Sequence, residues 1–169
     1  MSTIQRVAVE PIDHALEDPF EIALGAREAA RNVLVTVETD AGTVGCGEGS
    51  PLPPVTGDTQ SGAVAVARAA SPLLVGRNVR NYRQLVTDVR EAFPAAVTPL
   101  LALETAVLDA YCRERDIPLS ELFGGRPGTV RTDLTIPIVP PETAGERAAR
   151  AVEAGFDHLK IKAGGDVES

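Results

Sequence analysis

The chain has 169 residues, 44% of them apolar and 24% charged, an ordinary globular balance with room for one sizeable core or two small ones. A formal net charge of −8 argues against nucleic acid or an anionic membrane as a partner. No window nears the ~18 consecutive apolar residues of a membrane span, and Arg6, Glu10 and Asp13 interrupt the amino terminus where a signal peptide would be apolar, so a soluble, cytoplasmic protein is expected.

Residues 3–10 set Ile4, Val7 and Val9 among polar neighbours and predict a strand. Residues 32–39 form a β-branched run into Asp40-Ala41-Gly42, a tight hairpin turn, and residues 43–48 return as the partner strand. The first fifty residues are therefore expected to make a small antiparallel meander. Residues 18–27 and 50–58 read as loops, both richer in apolar residues than loops usually are. A cover over a pocket and ordinary packing onto a neighbour explain that equally well.

From residue 62 to 114 the period becomes helical. Helices are predicted over 62–70, 82–93 and 99–113, the last placing Leu100, Leu103, Val107, Ala110 and Tyr111 on one stripe. Pro99 suits a first helical turn, and Pro118 follows the helix end. A short helix over 119–123 is stopped by Gly124-Gly125, and Arg126-Pro127-Gly128 marks the best domain boundary, dividing the chain into 1–128 and 129–169. Beyond it a strand is predicted over 134–139, a helix over 141–154 ending at Gly155, and a strand over 157–162 that enters Ala163-Gly164-Gly165-Asp166. Strand, crossover helix and parallel strand form the unit of parallel α/β folds. Two parallel strands alone leave both edges unpaired, so the rest of the sheet is expected to be missing or to come from another chain.

The chemistry concentrates in that last strand. Of the 16 basic residues, only Lys160 and Lys162 are lysines. Arginine stays protonated at any ordinary pH, whereas a lysine can be tuned into a base. On a strand, side chains at i and i+2 share a face with Cα atoms roughly 6.6 Å apart. Two ammonium groups at about that distance repel by roughly 2–3 kcal/mol at an effective dielectric of about 20, worth about two pKa units. One of the pair can then sit neutral near pH 7, as a general base must. Lys-x-Lys on an edge strand also serves simply to block aggregation; the scarcity of lysine elsewhere favours the chemical reading. Cys46 and Cys112 read as small buried hydrophobes with no disulfide or metal role. His158 shares the lysines' face but reads as a packing or hydrogen-bonding residue at the strand's beginning. Glu48 and Asp58 read as solvated loop carboxylates that could instead contact a substrate, and Asp166 as a turn cap.

Together, the meander, a helical bundle ending Pro118-Leu119-Ser120-Glu121-Leu122-Phe123-Gly124-Gly125, and the strand carrying Lys160-Ile161-Lys162 resemble the muconate-lactonising subgroup of the enolase superfamily over essentially the whole chain. Within it the chain is most similar to dipeptide epimerases of the alanine–glutamate type. That similarity is carried by Pro19-Phe20 with Ala23-Leu24, by Val44-Gly45 with Gly47-Glu48 and Thr56-Gly57-Asp58, and by Thr132-Asp133 with Thr135 ahead of the lysines. The resemblance implies an α+β capping domain, antiparallel meander plus helical bundle, followed by the start of a TIM-type (β/α) barrel, truncated here. It implies an isomerase that removes and returns the α-proton next to a carboxylate through an enediolate stabilised by magnesium. Lys162 would be the base, and Lys160 would lower its pKa and help stabilise the enediolate. Thr135 would lie near the substrate, while Leu24, Gly25, Arg27 and Val55 belong to segments corresponding to the substrate-selecting loops of the capping domain.

Gly25 stands where some dipeptide epimerases carry an arginine, with Arg27 nearby, so acidic and hydrophobic dipeptides both remain open as the small-molecule substrate. The family's metal-binding carboxylates and second catalytic lysine lie on later strands. The Mg2+ ligands are therefore expected beyond Ser169, with no metal ligand in this chain, which alone should be inactive. A closed barrel takes roughly 250 residues. Two further readings stay open: a muconate-type cycloisomerase or succinylbenzoate synthase of the same superfamily, and a catalytically inactive truncated capping-domain protein acting through protein contacts. Homo-oligomerisation is compatible with each of these.

Overall fold

The computed structural model describes residues 2–22, 25–125 and 128–164, with backbone alone for 17–22 and 25–27. The chain forms two compact units, Met1–His14 with Ala30–Pro127, and Ala15–Ala29 with Gly128–Ser169.

Strands β1 (Ile4–Ile22), β2 (Gly25–Thr39) and β3 (Val44–Gly49) form one sheet in the order β1-β2-β3, with residues 4–14 of β1, 30–39 of β2 and all of β3 in the first unit. β2 and β3 pair antiparallel from Val33 opposite Gly49 to Glu38 opposite Val44. Two residues separate β1 from β2, a link that only antiparallel neighbours can make. The predicted meander is therefore present. At its 40–43 turn, Thr39 N–H donates to Thr43 O and Gly42 N–H to Thr39 O, both at 2.9 Å. Gly42 takes φ +78°, which a residue without Cβ adopts at no steric cost.

The loop predicted over 18–27 is corrected: both strands run through it and leave only residues 23–24 between them. Each arm satisfies the backbone of the other, so pairing rather than side-chain propensity sets strand length here. The 50–58 segment holds one helical turn, α1 (Pro53–Thr56), with proline in its first turn and Gly57 ending it at φ +76°.

Helices α2 (Gln60–Ala70), α3 (Tyr82–Ala92), α4 (Val97–Arg113) and α5 (Leu119–Leu122) follow, as the periodicity predicts. Thr59 caps α2 by accepting from Gly62 N–H at 3.1 Å. Along β2, Val33, Val35 and Val37 are fully buried against Leu85, Val89, Leu103 and Val107, and the residues between them are half-buried.

The tightest packing is between β3 and α4. Gly45, Gly47 and Gly49 turn to the helix, which presents Thr98, Ala102, Ala106 and Ala110 at intervals of four. A Cβ added at Gly47 would sit 2.0 Å from Ala102 O and 2.5 Å from Ala106 N; one at Gly45 would sit 2.3 Å from Ala106 O and from Ala110 N. Strand and helix thus touch backbone to backbone. The side chain of Asp109 closes the strand's outer edge, accepting from Cys46 N–H and from Arg113 Nε, both at 2.8 Å. Cys112 is buried as expected, but Cys46 is exposed. With the glycines of β3 facing inward, the alternate positions must face out.

Asp88 of α3 accepts from Gln84 Nε2 at 2.7 Å and from Arg77 Nη1. These bonds, that of Gln84 first, hold its carboxyl below the usual carboxylate range. A carboxyl lowered in the folded state adds stability above the unfolded value of about 3.9 and loses it as pH falls through the lowered value. The melting temperature of the wild type should therefore exceed that of Asp88→Asn by a constant, small margin above about pH 4, and the margin should shrink below it. Thermal melts of both proteins between pH 2 and 7 measure this.

In the second unit, β4 (Leu134–Ile136), α6 (Pro141–Glu153) and β5 (Leu159–Ile161) form a strand–helix–strand unit with parallel strands. Both strands are shorter than the predicted 134–139 and 157–162. Pro137 lacks the N–H to extend the ladder, and regular pairing stops in front of it. Ile136 and Ala151 are buried, and Gly155 ends α6 in the left-handed region at φ +95°.

Candidate active site

The β4–β5 ladder brings three predicted residues to one place. Thr135 is the register partner of Lys160, so the two side chains share a face of the sheet. Lys162 N–H donates to Ile136 O at 3.0 Å, which carries the ladder past β5 and keeps Lys162 on the face of Lys160. Ile136 points the other way and is buried on the face where α6 meets β4. The sheet therefore has one apolar face, which α6 covers at Ile136 while Leu134 and Ile161 stay exposed, and one face bearing a hydroxyl and two amines. Thr135 and Lys162 are half-buried, and Lys160 is exposed.

Ahead of β5, Asp157 ties the two strand beginnings together: Oδ1 lies 2.8 Å from His158 Nδ1, and Oδ2 accepts from Arg131 Nη1 at 2.5 Å. The His158 hydrogen bond, ahead of the Arg131 bond, holds the Asp157 carboxyl below its ordinary range. His158 is thus a hydrogen-bonding residue, exposed rather than packed.

The other predicted residues are placed as follows. Val55 lies on α1 and is 67% exposed. Gly25 opens β2 and Arg27 lies within it, where the side chain is outside the described residues; Leu24 and Asp166 fall outside them altogether. Glu48 accepts from Asn32 Nδ2 at 2.5 Å. Asp58 is half-buried and accepts from Thr98 N–H at 3.4 Å, so it serves the first turn of α4. A groove of about 370 Å³ between α3, α4 and α5, edged by Tyr82, Arg90, Glu104 and Phe123, contains none of the predicted site residues. Gln60, a lone glutamine at a helix start that belongs to no sequence motif, donates from Nε2 to Asp13 Oδ1 at 2.7 Å and to Asn32 O at 2.9 Å.

Among the described residues no three His, Cys, Asp or Glu side chains group as a metal site would require. The described side chains therefore do not by themselves fit a magnesium ion. Among the same residues no helix is long and apolar enough to cross a membrane.

Comparison with known proteins gives a consistent set of relatives. Residues 4–124 match the family described as mandelate racemase / muconate lactonizing enzyme, N-terminal domain. An aromatic dipeptide epimerase of Herpetosiphon aurantiacus is 37% identical over 164 residues, covering 97% of this chain and 46% of the relative. The crystal structure of a dipeptide epimerase from Enterococcus faecalis, complexed with Mg and the dipeptide L-Leu-L-Tyr, superposes with a TM-score of 0.88 at 34% identity over 98% of this chain and 47% of its own. A substrate-liganded complex of the L-Ala-D/L-Glu epimerase from Bacillus subtilis gives a TM-score of 0.91 at 30% identity, covering 97% and 46%. The chain spans about half the length of the curated relatives it matches.

Proposed function

Because the chain belongs to the mandelate racemase / muconate lactonizing enzyme family through its N-terminal domain, we propose that it is the amino-terminal part of a dipeptide epimerase. The observation that carries this reading is the shared face of Thr135, Lys160 and Lys162 on two parallel strands. Residues 1–128 are then the capping domain and 129–169 the first strand–helix–strand portion of a (β/α) barrel. The parallel register of β4 and β5 supports the second assignment, and the match of residues 4–124 to the family's N-terminal domain supports the first.

In this reading the Lys162 amine takes the α-proton of the dipeptide's carboxy-terminal residue and becomes an ammonium. The electron pair of the broken C–H bond moves into the adjacent carboxylate, which becomes an enediolate. The ammonium of Lys160, on the same face, opposes the growing negative charge. Thr135 lies beside Lys160 in the register and offers a hydroxyl to the same region. Return of a proton to the opposite face of the carbon needs a second acid, and the metal seen in relatives needs its own ligands. Both are assigned to residues other than those described. Gly25, in place of an arginine, and the likeness to an aromatic dipeptide epimerase favour an apolar dipeptide over an acidic one.

The test is to incubate the full-length protein carrying this chain with Mg2+ and L-Leu-L-Tyr or L-Ala-L-Glu in D2O, and to follow the α-proton signals by NMR. Loss of the carboxy-terminal α-proton signal, faster for L-Leu-L-Tyr, is expected. Silence with every dipeptide together with turnover of a muconate or a succinylbenzoate precursor would move the protein to the cycloisomerase or synthase reading.

A further inference from the structure

We propose that the carboxamide of Gln60 is a positioning clamp that locks the two arms of the β1–β2 hairpin together where the chain passes from the first compact unit to the second. Gln60 Nε2 donates to three oxygens: Asp13 Oδ1 at 2.7 Å, Asn32 O at 2.9 Å and Ile12 O at 3.3 Å. An amide nitrogen has two hydrogens, so the longest contact shares one of them. The opposite amide orientation would aim an oxygen at three oxygens, which fixes the assignment. Ile12 and Asp13 belong to β1 and Asn32 to β2, and the boundaries of the compact units fall after His14 and before Ala30. One half-buried side chain therefore holds both arms within two residues of the crossing.

The neighbouring bonds make this a fixed point rather than an isolated contact. Asn32 Nδ2 in turn reaches Glu48 Oε1 on β3 at 2.5 Å, so β2 is tied on both sides at one level. Arg68, further along α2, donates from Nε and Nη2 to Val9 O at 3.3 and 3.0 Å. The Thr59 cap fixes the first turn of α2, where Gln60 sits. Helix α2 thus grips β1 at two levels and β2 at one, and the hairpin continues from there as backbone pairing.

A consequence, which rests on the dipeptide-epimerase reading, is that substrate recognition by the hairpin depends on Gln60 although Gln60 touches no substrate. Gln60→Glu keeps the size but turns a donor into a carboxylate facing Asp13 and two carbonyl oxygens. Gln60→Lys keeps donors at the same place.

Amide hydrogen exchange, read by mass spectrometry on segments 8–16 and 28–36, tests the clamp. Gln60→Glu should speed exchange there roughly tenfold at pH 7, while α4 stays as protected as in the wild type. Gln60→Lys should restore the slow exchange. Unchanged exchange in Gln60→Glu would overturn the clamp, as would an increase shared by α4, because either places the hairpin's order elsewhere. In the full-length protein the same variant should raise KM for the dipeptide with kcat within about twofold. Faster exchange in both segments with an unchanged KM would uphold the clamp and remove the hairpin from substrate recognition.

Discussion

Gly47→Ala is expected to lower the melting temperature by roughly 6–12 °C, the largest stability loss for a single added methyl group in the first unit. The added carbon would lie 2.0 Å from Ala102 O and 2.5 Å from Ala106 N, both backbone atoms of α4. No rotamer change relieves such a contact, so strand and helix must separate over the length that Gly45 and Gly49 hold closed. Overpacking a core typically costs about 1–3 kcal/mol. The upper end applies where the obstacle is backbone, and each kcal/mol moves the midpoint by about 2–4 °C in a chain of this size. Gly145→Ala is the control. It lies inside α6 with nothing within 4 Å of the new Cβ, so it should stabilise by about 0.5–1 kcal/mol through helix propensity. Thermal unfolding followed by circular dichroism decides the matter: a Gly47→Ala protein that melts with the wild type would show that β3 and α4 are not in backbone contact.

Lys162→Arg should reduce α-proton exchange by about 10²–10⁴-fold in the full-length protein, measured by NMR in D2O with saturating dipeptide and Mg2+. The substitution leaves a long basic side chain in place but removes any access to a neutral amine. A stabilising role in the folded strand survives such a change, whereas a base does not. Lys160→Met should cost about 10²–10³-fold, because in the proposed mechanism it removes the charge that opposes the enediolate and leaves the base in place. Equal, small effects of the two substitutions would return the pair to the aggregation-blocking role open to any edge strand. Circular dichroism of each variant separates loss of chemistry from loss of fold.

Much of the candidate site's geometry was legible because it is local. Lys160 and Lys162 share a face by strand alternation alone, and their isolation among fourteen arginines marks them without reference to any partner. Thr135 is different. Only the parallel register shows that it stands opposite Lys160 rather than Leu159 or Ile161, and one step of slippage would turn it to the helix-covered face. The Asp157–His158 pair was half legible: adjacency was visible, but the Arg131 contact spans 26 positions.

The sequence by itself determined what short-range chemistry decides. The 40–43 turn, the helical stretch of α4, the stop at Gly155 and the strand–helix–strand order after residue 128 all follow from turn residues, period and capping within a few positions. Tertiary structure decided what depends on a distant surface. The hairpin extends through residues 18–22 because a second strand satisfies its backbone. Cys46 faces outward because the glycines beside it are needed against α4, and Gln60 acquires a role only when α2 lies across two strands 48 and 28 positions away. Alternation and four-residue spacing are written in the chain, but which surface each faces is settled only when the pieces pack, since close approach and long-range hydrogen bonds are properties of pairs.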